Sequence, residues 1–88
     1  MMQKHQKTLR KPGIALRATL AENIRSLRSS LNLSQEKLAD ICGLHRTYVG
    51  AIERAERNVT LSTLEVFSKA LGVSVPELLT ESAQRNAT

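Results

Sequence analysis

Residues 44 to 54, LHRTYVGAIER, set His45, Arg46, Thr47 and Tyr48 side by side. Together they hold an imidazole, a guanidinium fork, a hydroxyl beside a methyl group and a phenol, all capable of hydrogen bonding. The partners that bond-making chemistry needs are missing. No paired carboxylates fall where they would share a pocket, no nucleophile has an adjacent base, and no glycine-rich phosphate loop is present. The cluster therefore offers recognition of a polar surface, and no enzyme is expected.

Those side chains need an element to present them. Gly43 and Leu44 come just before, and Val49 and Ile52 share one face. This predicts an amphipathic helix whose His45, Arg46, Thr47 and Gly50 point elsewhere. Upstream, Ser34 can cap a helix of about eight residues with the apolar face Leu38, Ala39 and Cys42, ended by Gly43. Before that, a T-x-x-E capping box at Thr19 and Glu22 opens a helix in which Leu20, Ile24, Leu27 and Leu31 recur, so structure is expected to begin near Thr19. After the polar connection RAERNVT, a second box at Ser62 and Glu65 opens a helix on Leu64, Phe67, Ala70 and Leu71 that Gly72 stops. A third box, at Ser74 and Glu77 with Pro76 in the first turn, opens a short helix bearing Leu78 and Leu79. No alternating strand pattern or internal repeat appears. The predicted fold is all-α, a compact five-helix bundle with a helix-turn-helix at its centre.

The chain has 88 residues, enough for one domain. Residues 1–18, with Pro12 and Gly13 and no sustained apolar period, read as a flexible basic arm, residues 19–80 as the folded domain and residues 81–88 as a fraying tail. Aromatics amount to 2%, Tyr48 and Phe67, so the core must be built from small aliphatic residues, which suits helix packing. Cys42 is the sole cysteine. It allows no internal disulfide, has no clustered histidines for a metal site, and is expected to pack as a small apolar residue. No apolar run follows the basic N-terminus, so neither a secretory signal nor a membrane span is read. The expectation is a cytoplasmic, nucleoid-associated protein without metal or cofactor.

Charge points to the partner. Lys4, Lys7, Arg10, Lys11 and Arg17 lie within residues 1–18 beside no acid and account for the whole net charge of +5. A basic end of this kind favours a polyanion, because lysine and arginine on phosphates release condensed counterions. A solvated tail without function is the equally open reading of that segment.

Two helices joined by a short turn have helix-turn-helix geometry, in which the second helix enters the DNA major groove with its N-terminal residues at the base edges. A solvated helix start gains from one good cap, whereas a groove-reading start uses all four of residues 45–48. Arg46 can donate two parallel bonds to guanine O6 and N7, and Thr47 offers a hydroxyl to a base and a methyl to thymine. Ala51 keeps the helix surface low, and His45 is a further base reader. Gly50 inside a helix costs roughly 1 kcal/mol relative to Ala, which close approach to a phosphate or sugar would offset. Gln35, in the first turn of the preceding helix, can hold a phosphate, as can Arg57 and Asn58 after the recognition helix. Tyr48 is open to two readings, phosphate contact and core aromatic. Val73, Val75, Leu78 and Leu79 form a C-terminal apolar patch that can close the monomer core or meet a twofold mate. A dimer interface at Val73, Val75 and Leu78 is expected.

The elements S-Q-E-x-L-A, G-L, R-T-Y-V, I-E-R, R-N and T-L-x-x-L resemble the phage-repressor and Cro-like (XRE) regulators over about residues 19–80. RTYVGAIERAERNVTL is similar in particular to the controller proteins of restriction-modification systems. The resemblance implies a five-helix domain and a homodimer on an inverted-repeat operator. Carried over position by position, it puts base contacts on His45, Arg46, Thr47 and Ala51 and phosphate contacts on Gln35, Tyr48, Arg57 and Asn58, with Arg54 a further phosphate contact. It also implies that Arg28 and Glu53 form a structural ion pair. His45 departs from the acidic or small residue the family has before R-T-Y, and Gly50 departs after Val49, so the operator sequence does not carry over. The expected function is a sequence-specific, double-stranded DNA-binding transcriptional regulator. The alternative is an antitoxin or adaptor that holds a protein partner and autoregulates through DNA.

Overall fold

The computed structural model describes residues 13–81. Most of the expected basic arm and the C-terminal tail, residues 1–12 and 82–88, lie outside the described residues. Five helices follow one another: α1 (Ile14–Ser30), α2 (Gln35–Cys42), α3 (Arg46–Glu53), α4 (Leu61–Leu71) and α5 (Val75–Leu78). There is no strand among the described residues, and no helix is long and apolar enough to cross a membrane.

The helices close around one aliphatic core. Leu20 and Ile24 from α1, Leu38 from α2, Val49 and Ile52 from α3, Leu64, Phe67 and Leu71 from α4 and Leu78 from α5 are all buried. Phe67 is the single aromatic at the centre, and Tyr48 packs partly against the same cluster.

Helix ends follow side-chain and backbone capping. The Ser34 hydroxyl accepts from the Lys37 amide at 2.9 Å, and Ser74 and Glu77 complete a reciprocal box, with Glu77 Oε1 accepting from the Ser74 amide at 2.8 Å. Four helices stop in the same way, with a left-handed residue at Asn32, Gly43, Ala55 or Gly72. The next amide then reaches back to a carbonyl one turn inside the helix, as Leu44 does to Ala39 at 2.9 Å and Glu56 to Ala51 at 2.9 Å.

Three expectations need correcting. Helix α1 begins at Ile14 with Gly13 as its N-cap, so Thr19 and Glu22 lie within the helix and cap nothing, and residues 14–18 belong to the fold. The stretch Ile14 to Ala18 is made largely of good helix formers, and Leu16 continues the Leu20–Ile24 stripe one turn back. Helix α4 is capped by Thr60, whose hydroxyl accepts from the Thr63 amide at 3.1 Å. Ser62 and Glu65 are therefore displaced from the cap and third positions that a box requires. Leu78, expected at a dimer interface, is fully buried in the monomer's own core, while Val73 and Val75 remain half-buried. The physical reason is Asn23 of α1. It is 1% exposed and its amide donates to the carbonyls of Leu78 and Thr80, both at 2.8 Å, drawing α5 onto α1.

Candidate nucleic-acid interface

Gly43 takes φ +69°, a conformation that a side chain resists, and so allows the tight reversal between α2 and α3. After it, His45 is the N-cap of α3 in extended geometry, and its side chain caps nothing. The first-turn amides of an uncapped helix look outward for acceptors. His45, Arg46 and Thr47 are all exposed, and their side chains make no hydrogen bond or ion pair among the described residues. The sequence cluster is thus held out from the fold, free to meet a partner. Ala51, one turn on, is half-buried and presents little bulk.

Behind this face a polar network sets the angle between the helices. Glu53, at the end of α3, is 2% exposed. Its carboxylate accepts from Arg28 Nε at 2.7 Å, from Arg28 Nη2 at 3.0 Å and from Gln35 Nε2 at 2.9 Å. A second arm of the Arg28 guanidinium, Nη1, donates to the Leu33 carbonyl at 2.8 Å, and the Glu53 bond pushes the guanidinium pKa further above its ordinary value. Arg25 donates to the Glu53 backbone carbonyl. One carboxylate thereby ties α3 to α1 and to the start of α2, and two arginines stand at the negative end of the α3 dipole.

The residues expected at phosphates are distributed around that network. Gln35 spends one amide hydrogen on Glu53 and keeps the other, at the N-terminus of α2. Gly50 is buried, and its close neighbours lie within the chain. A Cβ there would come within 3.2 Å of Arg54 Nη1 and 3.5 Å of Gln35 Oε1, the first a tight contact with a movable side-chain end and the second an ordinary one. Arg54 bonds Glu56 at 3.1 Å with both side chains exposed, a pairing of little energetic weight that leaves the guanidinium available. Arg57 lies over the Tyr48 ring at 5.2 Å from its centroid, and Asn58 is exposed beside it. The core reading of Tyr48 holds in part. Its ring packs partly on the core, and its hydroxyl makes no hydrogen bond among the described residues. Cys42 is half-buried, and burial pushes its thiol pKa up. Sequence reasoning missed Asn23 and Arg25, whose acceptors are backbone carbonyls far along the chain and leave no motif.

The helix-turn-helix family model matches residues 24–78, from the middle of α1 to the end of α5. The chain belongs to the helix-turn-helix family. It is a DNA-binding transcription regulator of the XRE, Cro-like type, and its relatives include restriction-modification control proteins. It is 61% identical over 71 residues to the control protein C.SmaI of Serratia marcescens, covering 81% of this chain and 84% of that protein. A hypothetical transcription factor from Neisseria superposes with a TM-score of 0.78 at 43% identity, covering 93% of this chain and 95% of its own. The restriction-modification controller protein C.Esp1396I, solved as a tetramer in complex with its natural 35 base-pair operator, matches with a TM-score of 0.66 at 37% identity. That match covers 73% of this chain and 88% of the controller.

Proposed function

We propose that this regulator binds one specific double-stranded operator as a homodimer, on an inverted repeat, and controls transcription from it. The observation that carries the reading is the start of α3, where three hydrogen-bonding side chains are exposed without internal partners on a helix braced from behind by Glu53. Arg46 reads guanine through its two parallel donors, Thr47 and His45 read neighbouring bases, and Ala51 permits close approach. Gln35, Tyr48, Arg54, Arg57 and Asn58 hold flanking phosphates and fix the register. Two copies related by a twofold axis would place two recognition helices in successive major grooves, about one helical turn apart. Val73 and Val75, half-buried in the monomer, are the residues of the expected interface that retain surface for a mate. The operator-bound assembly of C.Esp1396I and the control role named for C.SmaI support the same picture.

Selection of bound duplexes from a random DNA library at near-physiological salt tests the proposal. The expected result is enrichment of an inverted repeat with half-sites about one helical turn apart. No enrichment would contradict it and would favour a protein whose DNA binding depends on a partner, the antitoxin or adaptor reading.

A further inference from the structure

The cleft between the first turn of α1 and the segment leaving α3 holds a cationic group that the assignments above do not use. Leu20, Val59 and Leu64 line it with apolar surface, and Arg17 shares it with Arg57 and Asn58. Arg17 is half-buried, and its Nε is withdrawn from solvent without a hydrogen-bond partner. No carboxylate pairs with it among the described residues. Glu81 lines the neighbouring cleft but makes no ion pair with Arg17. Buried polar groups are nearly always bonded, and the half-buried Arg17 guanidinium, with no partner among the described residues, has its hydrogen-bonding capacity unspent within the fold.

Arg57 is steadied by the Tyr48 ring, so two guanidiniums and one amide border a low-dielectric floor. An anion in such a setting is attracted more strongly than on an open surface. The cleft is continuous with the phosphate contacts proposed for Arg57 and Asn58. The planar guanidinium fork matches the oxygens of a phosphodiester.

We infer that Arg17 is a ligand of the DNA backbone, closing with Arg57 and Asn58 on a phosphate that flanks the groove occupied by α3. The inference rests on the DNA-binding reading above. It extends the contact surface to the first turn of α1, ahead of the residues the family model matches.

The test is titration of the full chain with its selected operator and with an unrelated duplex over a range of salt, comparing the wild type with Arg17→Gln and Arg17→Lys. Each phosphate contact contributes about 0.9 to the slope of log affinity against log salt. Arg17→Gln is expected to lower the slope by about 1 for each bound copy, about 2 for the dimer, and to weaken both duplexes by a similar factor, roughly threefold to tenfold per copy. Arg17→Lys, which keeps the charge, should restore most of the slope. An unchanged slope in Arg17→Gln overturns the inference, whether or not that variant melts at a lower temperature. Inorganic phosphate shifting the Arg17 side-chain resonances without DNA, at concentrations that leave duplex binding intact, would also overturn it by assigning the site to a free anion. Arg46→Ala separates the two claims. If that variant loses discrimination while Arg17→Gln keeps the wild-type slope, the Arg17 inference alone fails. If the wild type shows no salt-dependent duplex binding, the functional reading falls with it.

Discussion

Glu53 is a carboxylate almost wholly removed from water, yet its two oxygens take three hydrogen bonds from Arg28 and Gln35. Removing one partner of such a pair leaves the other charge uncompensated, at a cost that is largest when both are deeply buried. Arg28 keeps 18% of its side-chain surface, so solvent softens the loss. Glu53→Ala is expected to destabilise the fold by about 2–3 kcal/mol, read as a lower urea midpoint at an unchanged slope. Gln35→Ala should be milder on stability and should weaken DNA binding on all sequences alike, since a phosphate contact carries no base information. A changed base preference in that variant would contradict the role. The exposed cluster at residues 45–47 was legible because, with Tyr48, it sets four hydrogen-bonding side chains in succession, an odd choice for an ordinary helix start. Gly50 was legible as an anomaly, but the side chains of Arg54 and Gln35 that lie close to its α carbon were not.

Among the elements, caps decide the boundaries, and those that hydrogen-bond within four residues could be read directly, as at Ser34 and Ser74. Competing caps could not be ranked in advance. Thr60 displaces Ser62, and the apolar stripe carries α1 back past Thr19 to Gly13. Ala55 was invisible as a stop signal because alanine normally favours a helix, yet it ends α3 at φ +62°. A left-handed alanine carries a penalty that glycine lacks, partly offset by the greater freedom glycine has in the unfolded chain. Ala55→Gly is therefore expected to raise stability by about 0.5–1 kcal/mol, measured as a higher urea midpoint, with operator affinity unchanged. Destabilisation by that substitution would show that the methyl group makes a packing contribution larger than the strain. Asn23 holds α5 against α1 through carbonyls more than fifty positions away along the chain, 55 in the case of Leu78. Asn23→Ala should leave those carbonyls unpaired and cost about 1–3 kcal/mol in the same assay.

In the molecule as a whole, α2 and α3 are braced by the Glu53 network and the start of α3 is left exposed, the edge proposed to read the operator. The all-α bundle was legible from periodicity and glycine stops, and the Cro-like class from the run around R-T-Y-V. The apolar C-terminal patch was not divisible by sequence alone, because Leu78, Val73 and Val75 are chemically alike, and Leu78 is committed to the monomer by its place in the core together with the Asn23 bonds to α5. If the remaining surface pairs two chains, symmetry requires that both half-sites of an operator be read by the same residues in the same way. Library selection with wild type and Arg46→Ala side by side tests this most directly. The account predicts an inverted repeat for the wild type. For the variant it predicts loss of one guanine–cytosine preference at the equivalent position of both half-sites, with the other positions kept and affinity for the wild-type operator lower by roughly 1–3 kcal/mol per half-site. Identical selected sequences from the two proteins, or a loss confined to one half-site, would contradict the assignment of base reading to the start of α3 in a symmetric dimer.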